Sequence, residues 1–109
     1  MTDLLARLEV AEAGSLELDV AIWDAMGGWS VAHPPAVTTS LDAALALAER
    51  VLPGCRCMVE RDFDGNGWAM VQRSGTFNAE RVMTDGNTPA LALCAAVLKA
   101  THKAEGAEG

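Results

Sequence analysis

The chain has 109 residues, half of them apolar, and carries 15 acidic against 8 basic side chains for a formal net charge of −7. That length and apolar share suffice for one domain with its own core, without disulfides or metal, and the excess of carboxylates repels phosphate backbones, which argues against nucleic acid as a partner. The apolar stretch Thr88 to Leu98 falls short of the roughly 20 residues a membrane span needs. Met1-Thr2-Asp3 opens with neither the basic nor the apolar region of a secretory signal, so the expectation is a cytoplasmic protein, without membrane contact, whose Cys55, Cys57 and Cys94 are thiols.

A first helix starts at a Thr2 or Asp3 cap and places Leu4, Leu8 and Ala11 on one side with Leu5 beside them; Gly14 stops it. Ser15 caps a second helix, with Glu17 and Asp19 near its positive end and Leu18, Ala21, Ile22, Ala25 and Met26 forming an apolar stripe. Trp23 lies off that stripe, next to Asp19 on the helical wheel, and is expected to pack on a second surface. Gly27-Gly28 ends the helix, and Trp29 to Val37, with His33-Pro34-Pro35, reads as a surface loop. Thr39-Ser40-Leu41-Asp42 fits a capping box with Thr39 as the cap. The third helix that follows has Leu41, Ala44, Leu45, Ala48 and Val51 on one side, widened by Leu47, and ends at Leu52-Pro53-Gly54.

From Cys55 the period changes to two. Cys55, Cys57 and Val59 alternate with Arg56, Met58 and Glu60, and Trp68, Met70 and Gln72 alternate with Ala69, Val71 and Arg73, which predicts a β-hairpin around Asp62 to Gly67. Ser74-Gly75 is a second turn signal, Thr76 to Met83 a weaker third strand carrying Phe77, Ala79 and Val82, and Asp85-Gly86-Asn87 a loop. Thr88 then caps a last helix with Pro89 at its first position. From Ala90 to Leu98 that helix is apolar on nearly every side, so it should be covered on more than one flank. The segment after Ala100 is polar and reads as a flexible tail over residues 101–109, leaving residues 1–100 as the domain.

Three helices, three antiparallel strands and a helix define an α+β domain, since no strand alternates with a crossover helix. Setting Met58, Ala69 and Val71 on one sheet face, and Cys57, Trp68 and Met70 on the other, leads to a three-layer α/β/α sandwich with a small antiparallel three-stranded sheet and about four helices. The segments Glu17-Leu18-Asp19, Gly28-Trp29, Thr39 to Leu45, Trp68-Ala69-Met70-Val71 and Thr88 to Ala96, in that order, make the chain resemble the phage ABA sandwich domain family over about Leu4 to Ala100. The resemblance implies a small α/β/α domain of phages, prophages and bacterial relatives, and brings no catalytic residue with it.

Little in the chain supports chemistry. Cys55 and Cys57, two apart in a strand, share a face and read as packing residues, and neither Cys94, His33 nor His102 stands at a zinc-like spacing from them. Asp62-Phe63-Asp64-Gly65-Asn66-Gly67 matches the first half of a calcium loop, but Arg73 stands where the closing carboxylate belongs, and the same residues suit a tight turn. There is no Gly-x-Ser-x-Gly elbow and no phosphate-binding glycine loop. The expectation is therefore a non-enzyme with no cofactor and no metal, a binding module for a host protein or small molecule. Its candidate contacts are Trp23, Trp29 and His33, with Arg56 and Arg73 for an anionic ligand. The alternative is a structural or assembly subunit, such as a homodimer or a virion or packaging component, marked by the apolar excess of the last helix and by Trp23.

Overall fold

In the computed structural model, which describes residues 2–26, 35–72 and 81–106, the helix boundaries follow local capping chemistry. The elements are α1 (Thr2–Val10), α2 (Leu16–Ala25), α3 (Leu41–Val51), β1 (Arg56–Arg61), β2 (Gly67–Gln72), β3 (Arg81–Gly86) and α4 (Pro89–Gly106). Ser15 sits in extended conformation before α2, and its hydroxyl accepts the Leu18 N–H at 3.2 Å. Thr88 does the same for the Leu91 N–H at 3.2 Å, ahead of Pro89. The cap of α3 is Ser40 and not Thr39: the Ser40 hydroxyl accepts the Ala43 N–H at 3.2 Å, while Thr39 Oγ1 turns back to the Ala36 carbonyl. Both residues have a hydroxyl, and the turn that Ala36 closes through the Thr39 and Ser40 N–H groups decides which of them faces the helix.

The sheet is antiparallel with order β1-β2-β3. Met58 pairs with Met70 and Met70 with Met83; Cys57 pairs with Val71 and Val71 with Val82. One face therefore carries Cys57, Val59, Ala69, Val71, Val82 and Thr84, and the other carries Met58, Met70, Met83 and Trp68. This corrects the expected faces, because Met58 lies with Met70 and Trp68, and Cys57 with Ala69 and Val71. The cause is the turn. Asp62 to Asn66 is a five-residue connection, closed by Asp62 N–H to the Asn66 carbonyl and Gly65 N–H to the Asp62 carbonyl, with Gly65 at φ 89°. Strand alternation alone does not reveal that odd count. The turn's own geometry also uses Asp62 Oδ1, which accepts the N–H groups of Asp64 and Asn66, each at 2.9 Å.

Among the described residues strand β3 covers Arg81–Gly86 and so includes Asp85 and Gly86, which sequence alone placed in a loop; they pair with Trp68 and Gly67. The other residues of the expected third strand, Thr76 to Glu80, lie outside the described residues, as does Ser74-Gly75. Gly67 and Gly86 stand opposite each other beneath the start of α4. A Cβ on Gly67 would lie 2.4 Å from Pro89 Cα, and one on Gly86 2.8 Å from the Ala92 nitrogen. The missing side chains let the helix approach the backbone, and the Thr84 hydroxyl donates to the Ala92 carbonyl at 2.6 Å to fix the distance.

Helix α4 packs on all three strands and also against α1 and α3, and every residue from Ala90 to Leu98 is buried. An apolar helix without a polar side has to sit in the middle of the molecule. The α+β class, four helices and a three-stranded antiparallel sheet are as expected; among the described residues α4 lies on the inner sheet face, with α1, which also touches β3, and α3 packed beside it. The core joins Leu4 and Leu8, Leu18 and Ile22, and Ala44, Leu47 and Ala48 from the helices to Ala69, Val71 and Val82 of the inner sheet face. Leu41 and Leu45, expected in the α3 stripe, are exposed, and Leu47 is turned in. Helix α4 also continues through the start of the expected tail to Gly106, because Thr101 to Ala104 contains nothing that breaks a helix and the Thr101 hydroxyl bonds the Val97 carbonyl. No helix among the described residues is long and apolar enough to cross a membrane.

A candidate ligand cleft between α2 and α3

Trp23, off the main stripe of α2, is 7 % exposed and packs toward α3, as its size required. Arg50, in the last turn of α3, holds its guanidinium 5.7 Å from the Trp23 ring centroid, within cation–π range. Around this pair lies a cleft of about 440 Å³ lined by Pro35, Ala43, Ala46, Leu47 and Glu49 as well. Ala43, Ala46, Leu47 and Arg50 recur at helical spacing on one side of α3. Two alanines along that side leave room that larger side chains would fill. The walls are apolar, and the polar groups are Glu49 and Arg50, adjacent in sequence at one end of the helix.

A buried polar clamp anchors the segment that follows Pro35. Asp19, one turn before Trp23 and 4 % exposed, accepts both the Thr38 N–H at 2.9 Å and the Thr38 hydroxyl at 2.6 Å on Oδ1, and Thr38 Oγ1 accepts the Ser15 N–H at 3.0 Å. Gly14 permits this approach, since a Cβ there would lie 2.2 Å from the Thr38 carbonyl oxygen. One residue earlier in the chain, the Val37 carbonyl accepts the buried Cys94 thiol at 3.1 Å. The segment that brings Pro35 to the cleft is thereby tied, through Thr38 and Val37, to both the start of α2 and the core. Removal from water, with the nearby Asp19 carboxylate as a second cause, pushes the Cys94 thiol up to about 12. It is a structural donor and not a nucleophile.

A second, larger depression of about 650 Å³ runs along the hairpin end of the sheet, lined by Glu9, Glu60, Asp62, Asp85 and Lys99 among others. Its walls are charged and solvated, with carboxylates in excess. Among the described residues no group of three or more His, Cys, Asp or Glu side chains could hold a metal ion. Cys55 and Cys57 place their sulfurs 3.6 Å apart beside α3, and burial, with the Cys55 sulfur next in effect, raises Cys57 to about 12. Ligand sites are typically apolar with a few placed polar groups, and of these two depressions among the described residues the Trp23 cleft has that composition.

Of the residues singled out from sequence, Trp23 lines the cleft. Arg56 does not; it is exposed on the outer face of β1. Trp29, His33 and Arg73 lie outside the described residues. Sequence reasoning missed Arg50, whose signal was a cation in the last turn of α3 on the same side as Ala43 and Ala46, and it missed the Asp19–Thr38 clamp, which joins residues 19 apart in the chain. No family model, no curated protein and no solved structure matches this chain.

Proposed function

We propose that this protein is a small non-catalytic accessory module, of the phage or prophage type its segments resemble, that holds a mostly apolar ligand in the Trp23 cleft. The observation carrying this reading is an apolar cleft of about 440 Å³ with the Trp23–Arg50 pair at its edge, a volume within the range of roughly 300–1,000 Å³ common to small-molecule sites. The apolar floor favours a planar hydrocarbon body, and the Arg50 guanidinium favours an anionic or acceptor group beside it. A small aromatic acid fits that description, and so does an aromatic side chain of a partner protein.

The test is a titration with 2-naphthoate, followed through the Trp23 indole N–H resonance. A saturable shift is expected in the unaltered protein, a weaker one in Arg50→Gln, and none in Ala46→Phe, which fills the cleft from an exposed helix position. No saturable shift up to millimolar 2-naphthoate, or a shift that Ala46→Phe leaves unchanged, contradicts the reading.

A second reading, assembly with other chains, is favoured by a different observation: Met58 and Met83 on the outer sheet face are 48 % and 57 % exposed. Large exposed apolar side chains flanking a sheet centre are a common mark of association surfaces.

A further inference from the structure

The outer sheet face is ordered in rows that run across the strands. Arg56 and Arg81 flank Gln72 in one row, Met58, Met70 and Met83 form the next, and Glu60 and Asp85 flank Trp68 in the third. All four charged residues are exposed, Met58 and Met83 are half exposed, and Met70 between them is 5 % exposed. The basic and acidic rows are about 14 Å apart along the strands at ~3.4 Å per residue, too far for an Arg and a Glu of the same strand to pair. The face thus carries an apolar stripe between two oppositely charged borders.

This pattern is self-complementary under one symmetry operation. We propose that the face is a homodimer interface, on which a second copy lies face to face, related by a twofold axis running across the strands along the methionine row. That rotation sets the methionine row of one copy on the methionine row of the other. It also places Arg56 of each copy over the Glu60 position of the other, and Arg81 over the Asp85 position, four opposite-charge pairs around an apolar centre. Rotation about an axis parallel to the strands would stack arginine on arginine and carboxylate on carboxylate, so the charges select between the two ways of placing the sheets.

The proposal deepens the assembly reading and names its partner as this same chain. Three strands of about 20 Å at ~4.8 Å spacing offer roughly 290 Å² per copy, little more than a third of a standard interface, so the dimer is weak and forms at high micromolar concentration. Its border pairs are exposed to solvent, which makes it sensitive to salt.

Sedimentation velocity from micromolar to millimolar protein tests it. The unaltered chain is expected to pass reversibly from monomer to dimer, with the transition moving to higher concentration in added salt. Arg56→Glu and Glu60→Arg each place like charges over one another and should weaken self-association at least tenfold. An equimolar mixture of the two variants restores opposite pairs and should recover the dimer. Both positions are exposed on an edge strand, so circular dichroism should match the unaltered protein. A chain that stays monomeric at millimolar concentration overturns the proposal and leaves the face to some other partner. A dimer indifferent to both single variants, or a mixture that fails to recover it, also overturns the proposal. Arg50→Gln, in the cleft, should leave the dimer unchanged, so the cleft reading can fail without affecting this result.

Discussion

The two faces of the three-stranded sheet are built from the same strands, residue by residue in alternation, yet one is closed and the other leaves Met58 and Met83 exposed on either side of a buried Met70. Toward α4 the sheet presents Ala69, Val71, Val82 and Thr84, all buried, with two glycines that let the helix backbone come close. Away from α4 it presents methionines bordered by arginines and carboxylates. The difference teaches where specificity is spent. The inner face demands particular shapes, because a Cβ at Gly67 or Gly86 would collide with α4, whereas the outer face, in the dimer proposed above, depends on the arrangement of its charges.

Truncations should separate the faces most clearly. Leu93→Ala, in the wholly buried part of α4, is expected to cost about 2–5 kcal/mol by lost burial and a residual cavity, while Met58→Ala on the outer face should stay within about 0.5 kcal/mol. Urea unfolding of the two variants gives both numbers, and equal losses would erase the distinction. Asp19→Ala removes the acceptor of two Thr38 donors and should cost about 2–3 kcal/mol, the penalty being chiefly that of the buried Thr38 N–H. The Thr38 hydroxyl, 3.1 Å from the Ser15 carbonyl oxygen, retains a partner. Because the clamp also anchors the segment that brings Pro35 to the cleft, Asp19→Ala should weaken 2-naphthoate binding in the same titration.

The core also has an alkaline limit. Folded Cys94 holds its proton up to about 12 against an ordinary value of 9.0, so the folded state binds the proton more tightly than the unfolded chain. The stabilisation is complete below pH 9 and is lost as pH rises from 9 toward 12, at about 1.4 kcal/mol per pH unit. Cys94→Ala should flatten that decline in a melting series across this pH window; an unchanged slope would remove Cys94 as its cause. At the smallest scale, Ser40→Ala should cost about 1 kcal/mol and Thr39→Ala close to none, the reverse of what the capping-box reading implies.

How much of this was legible in the chain depends on whether the signal was local. Ser15, Thr88 and Pro89 act within one turn of their own helices, and their roles were readable. So was the burial of α4, since a helix without a polar side has one place to go. The register of the hairpin was not, because period two fixes faces within a strand and leaves the relation between strands to the count of residues in the turn. That count moved Met58 to the outer face and hid the methionine row. The Asp19–Thr38 clamp and the Trp23–Arg50 pair join distant parts of the chain, and although Arg50 stands out as a cation on the side of α3 that carries Ala43 and Ala46, no pattern along the sequence encodes its partner.

Methionine oxidation by dilute peroxide, read by mass spectrometry at low micromolar protein, tests the two-faced sheet most directly. The structure predicts that Met58 and Met83 oxidise well ahead of Met70 and of Met26, which is 8 % exposed, while circular dichroism stays native. Met58 or Met83 as slow as Met70 under those conditions would mean that the outer face is covered, and would contradict the account.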